Sequence, residues 1–78
     1  MNKECDGELY KIDVMVSEGK ITSWRDTVRL RRRARETKNH FLTRCKNKVG
    51  VKSQVKWEPW GWHTWCQFEN LSIFVDYA

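Results

Sequence analysis

The sequence predicts an α+β domain in the order β-β-α-β-β-β: an antiparallel sheet of four to five strands with one long basic helix packed on one face. Three observations predict it. Apolar and polar residues alternate with period 2 at both ends of the chain, and turn residues cut those stretches to strand length. Between them, from Trp24 to about Lys48, there is no Pro or Gly. At 78 residues the chain is one domain, 1–78, near the lower limit for a self-supporting core.

The first strand is predicted over Leu9 to Val16, where Tyr10, Ile12, Val14 and Val16 alternate with Lys11, Asp13 and Met15. Ser17-Glu18-Gly19 reads as a tight turn, and Lys20 to Ser23 as a short returning strand. Ser23 is a good helix N-cap, with Asp26 three residues on and Gly50 past the far end. Leu30, Ala34, Phe41 and Cys45 fall on one side at helical spacing, a narrow seam that needs a sheet to lie on.

Three further strands follow. Val51, Ser53, Val55 and Trp57 alternate with Lys52, Gln54, Lys56 and Glu58, and Pro59-Trp60-Gly61 turns the chain. Trp62 to Glu69 is the next strand, Glu69-Asn70 the next turn, and Leu71 to Tyr77 the last strand. By alternation Trp57 and Trp62 belong in the core with Val55, Cys66 and Ile73. Trp65, His63 and Phe74 face the other way, and Trp60 sits at the turn.

Charge is unevenly placed. From Arg25 to Lys52 eleven Lys or Arg stand against two acids, Asp26 and Glu36, while the rest of the chain carries −4 and the whole +5. The run Arg29-Leu30-Arg31-Arg32-Arg33-Ala34-Arg35 is the most specific feature. On a helix it would aim Arg25, Arg29, Arg32 and Arg33 outward with Arg44, while Arg35 flanks the seam. Guanidinium groups stay charged and grip phosphate with paired hydrogen bonds. Most charge runs are only solvated faces, but those mix signs at i,i+4 spacing and this one scarcely does. The expectation is therefore a polyanion-binding surface of Arg25, Arg29, Arg32, Arg33, Arg35 and Arg44. Trp60, Trp65 and Phe74 are expected to form an aromatic patch on the uncovered sheet face. Such a patch suits stacked bases, a protein partner or a second copy of the chain, or else packs beneath Leu9 and Met15.

Catalysis and metal binding find little support. The chain shows no nucleophile with its base, no paired carboxylates and no phosphate-cradling glycine loop. His63 and Cys66, three apart on a strand, face opposite sides and cannot share an ion without a bulge. Cys45 and Cys66 read as core residues, and an odd count of three cysteines with Cys5 does not suit a disulfide-built secreted domain. The acidic start Met1-Asn2-Lys3-Glu4-Cys5-Asp6 does not read as a signal peptide, and no apolar stretch reaches spanning length. The expectation is a cytoplasmic, non-enzymatic nucleic-acid-binding module without cofactor or metal, the partner being RNA or DNA. The alternative is a small inhibitor or adaptor of a phage or mobile element that grips an acidic or nucleic-acid-binding host protein. A metal-independent nuclease built around His63 ranks last.

Overall fold

A computed structural model describes residues 7–78; Cys5 lies outside the described residues. Five strands and one helix follow the order β1 (Leu9–Glu18), β2 (Ile21–Arg31), α1 (Lys38–Lys48), β3 (Glu58–Trp60), β4 (His63–Phe68) and β5 (Leu71–Tyr77). The expected α+β class and element order hold. All strand pairs are antiparallel, and the sheet runs β2-β1-β5-β4-β3.

The frame is the β1–β2 hairpin, which pairs from Leu9 opposite Arg31 to Glu18 opposite Ile21. Gly19 closes it at a φ of 64°, in the left-handed region that costs a glycine least. A bulge interrupts the ladder where Val14 faces Asp26 but Met15 faces Trp24, leaving Arg25 as the extra residue. On its other side β1 pairs with β5, from Tyr10 opposite Tyr77 to Val16 opposite Leu71.

Helix α1 lies on one face of this sheet. Phe41, Leu42 and Cys45 pack with Ile12, Cys66, Ile73 and Val75 in one buried cluster that Val51 completes. Full burial of each large aliphatic or aromatic side chain contributes roughly 1.5–3 kcal/mol, so this one layer carries most of the fold. Val28, Leu30, Val55 and Trp57 pack half-buried at its margin.

The long helix expected from Trp24 is corrected by the structure. Residues 21–31 are an extended edge strand, 32–37 a connecting loop, and the helix spans only Lys38–Lys48. Lack of Pro and Gly permits a helix but does not require one. Here Ile21, Thr22, Thr27 and Val28 are β-branched, and a preformed β1 offers ten residues to pair with. The true N-cap is Thr37, whose side chain accepts from the His40 N–H at 3.1 Å. Of the expected seam, Phe41 and Cys45 are buried on the helix, Leu30 sits on β2, and Ala34 is exposed in the loop. The strand expected from Val51 also shrinks. Only Glu58–Trp60 pairs, with Pro59 on an edge strand as its missing N–H demands. The turn after it falls at Gly61 and Trp62, with Gly61 at a φ of 59°.

Candidate nucleic-acid interface

Alternation along each strand and the printed register define the sheet face opposite α1. One row crosses all five strands: Arg29 opposite Lys11, Lys11 opposite Asp76, then His63 and, opposite it, Trp60. A second row runs Thr27, Asp13, Phe74, Trp65 and Glu58, and a third Trp24, Met15, Ser72 and Gln67. No helix among the described residues covers these rows.

Trp60, His63, Trp65 and Phe74 form one ring cluster on this face. Phe74 is its centre, 5.5 Å from Trp60, 6.0 Å from Trp65 and 6.1 Å from His63. Trp65 and Phe74 lie near parallel, 16° apart, in a stacked pair that is half-buried. Trp60 is 59% exposed at the outer edge. The expected grouping of Trp60, Trp65 and Phe74 is thus present, and His63, expected on the same face, joins it. Its Nδ1 stands 3.1 Å from Asp76 Oδ2 without hydrogen-bond alignment. Trp62, expected in the core, is instead 93% exposed, because the turn falls at Gly61–Trp62 and lifts it off the sheet. Trp57 is half-buried against the core.

The polar half of the face is partly self-paired. Asp13 accepts from Thr27 Oγ1 at 2.6 Å and meets Lys11 Nζ at 3.6 Å. Thr27 Oγ1 in turn accepts from Trp24 Nε1 at 2.8 Å, which pins an otherwise exposed indole.

The six expected arginines are not brought together. Arg29 lies on the open face, beside Lys11. Arg25, on the bulge, lines a hollow on the helix side with Asp26, Lys48 and Val49. Arg32, Arg33 and Arg35 belong to the loop before α1. Arg32 donates from Nε and Nη2 to the Glu36 carbonyl at 3.2 and 3.0 Å. Arg44, expected to point outward, is instead bound within the protein. Its Nε lies 2.5 Å from Glu36 Oε2, and its Nη2 donates to Glu36 Oε1 at 2.6 Å and to the Arg31 carbonyl at 3.0 Å. Glu36, its side chain 2% exposed, also takes His40 Nδ1 at 2.5 Å and the Arg33 N–H at 3.1 Å. The Arg44 hydrogen bonds lead in lowering its pKa to about 2, against the opposing effect of burial. One carboxylate therefore consumes one expected phosphate ligand and fixes the loop that carries three others.

Arg25, Arg29, Arg33 and Arg35 are exposed and, among the described residues, their guanidinium groups form no ion pair with a carboxylate. Arg31, absent from the expected set, shares the open face with Arg29 and donates to the Gly7 carbonyl at 2.8 Å. Lys11 and Trp24 were also missed; period 2 continued through residues 21–31 is the signal that finds Arg29, Arg31 and Trp24 on one face.

Comparison with family models, curated proteins and solved structures finds no match to this chain. Among the described residues no three His, Cys, Asp or Glu side chains cluster as metal ligands, and no helix is long and apolar enough to cross a membrane.

Proposed function

We propose that the protein binds single-stranded nucleic acid across the open sheet face, with bases on the aromatic cluster and phosphates along the arginine edge. The observation that carries this reading is the register itself. It sets Trp60, Trp65 and Phe74 on the same uncovered face as Lys11, Arg29 and Arg31. Strands lie about 4.8 Å apart, so Arg29 on β2 is about 10 Å from the β5 row that carries Phe74. That separation suits a base on the rings and its backbone over the guanidinium groups.

A single strand fits better than a duplex, because only unstacked bases offer their faces to aromatic side chains. Arg33 and Arg35, in the loop that continues β2, extend the basic edge beyond the sheet. The chemistry is binding rather than catalysis: the rings stack and the guanidinium groups neutralise charge. Buried free thiols at Cys45 and Cys66 favour a reducing, cytoplasmic setting.

Titrating a labelled single-stranded oligonucleotide at several salt concentrations tests the reading. Trp60→Ala is expected to weaken binding by roughly 1–3 kcal/mol with the salt slope retained. Arg29→Ala is expected to flatten the slope of log K against log salt by about 0.7. Oligonucleotide affinity that ignores both changes overturns the reading.

One observation favours a second reading, a protein partner. Ile21 and Trp24, 70% and 62% exposed, put apolar surface on the hairpin end of the free β2 edge. An inhibitor or adaptor using that edge would lose its partner on Trp24→Ala, whereas oligonucleotide binding at the Trp60 end would persist.

A further inference from the structure

The end of the helix-side face holds a second aromatic and cationic site, separate from the open face. A cleft of about 200 Å³ lies where the sheet extends past the start of α1. Tyr10 and Phe41 form its floor, with ring centroids 4.7 Å apart, and Tyr77 stacks on Tyr10 at 4.9 Å. Trp62, in the turn just before β4, lines the cleft as well. Arg32 and Lys38 line the same cleft.

Two features of this cleft suit an aromatic anion. Trp62 is 93% exposed and Tyr77 61%, and both line the cleft, so two large rings offer it water-facing surface. Arg32 is held by hydrogen bonds to a backbone carbonyl, which orient its guanidinium without neutralising it. The one acid lining the cleft, Asp76, accepts from the Tyr77 N–H at 2.9 Å and stands 3.1 Å from His63. A ligand here meets both rings and two cations.

Size narrows the class. Sites for drug-sized molecules run to roughly 300–1,000 Å³, so this open cleft takes at most one mononucleotide-sized ligand. We propose that it binds one nucleoside monophosphate unit, the base against Tyr77 and Trp62 and the phosphate on Arg32 and Lys38. The unit comes either as a free nucleotide or as the phosphorylated end of a strand. This site goes beyond the open-face reading and stands without it, since the two sites lie on opposite faces of the sheet.

The test follows the Trp62 indole resonance of the full chain by NMR in four titrations. The probes are adenosine 5′-monophosphate, adenosine, and a short single strand with and without a 5′-phosphate. The expected result is a saturable Trp62 shift with the monophosphate or with the phosphorylated strand, and a response at least about tenfold weaker without the phosphate. A shift with the free nucleotide identifies a nucleotide site, and one with the phosphorylated strand alone identifies an end-binding site. Lys38→Gln, on an exposed residue, is expected to weaken the response about tenfold with the fold intact. No Trp62 shift with either phosphorylated probe overturns the proposal, as does an equal response to adenosine. Strands that move Trp65, with Trp62 still in every titration, remove this site and leave the open face standing; the converse removes the open face alone.

Discussion

Glu36 shows how one residue redirects a charge run. It is one of only two acids among the eleven cations between Arg25 and Lys52, and it folds inward to hold Arg44 and His40. Because its pKa falls from 4.5 to about 2, its contribution to stability is complete above pH 4.5 and drains away as pH drops through about 2. Glu36→Gln is expected to cost about 2 kcal/mol in urea unfolding at neutral pH. The same change should also remove most of the acid sensitivity between pH 4.5 and 2. The two buried thiols make a companion prediction. Burial pushes Cys45 up to about 12 and Cys66 up to about 11, so neither holds thiolate at neutral pH. Site-resolved mass spectrometry should find both unalkylated by iodoacetamide in the native protein and modified once urea unfolds it.

At the scale of elements, the start of the helix is the sharpest point. Thr37→Ala should cost about 1 kcal/mol, because it removes the acceptor for the His40 N–H, while Ser23→Ala on an exposed strand position should stay within about 0.5 kcal/mol. Equal losses at both positions would restore the helix that the sequence suggested from Trp24. The strands β1, β4 and β5 were legible because each buries one face and so alternates cleanly, as Ile12 and Val14 or Ile73 and Val75 do. Residues 21–31 were not, for a physical reason. On an edge strand the helix-side positions Val28 and Leu30 are only partly covered and Asp26 is exposed, so the alternation that names a strand is diluted by charge. Residues 51–57 misled in the opposite way, since Val51, Val55 and Trp57 reach the core from an irregular segment without pairing. Alternation alone put Trp65, His63 and Phe74 on one face, whereas Trp60, expected at a turn, joins them from β3. The fate of Arg44 was not, because Glu36 lies eight residues before it and meets it only through the loop fold.

Across the whole molecule, the two faces of one sheet do different work. The side under α1 supplies the core, and the other side lays a basic edge beside an aromatic field in shared register. The five indoles report on this division directly, since Trp57 packs on the core while Trp60 and Trp65 sit on the open face. The decisive measurement is a two-dimensional NMR titration of the indole N–H resonances with a short unphosphorylated single strand. The account predicts that Trp60 and Trp65 shift together and saturate, that Trp57 stays in place, and that added salt reverses the change. Resonances of Trp60 and Trp65 that remain still at saturating oligonucleotide would contradict it.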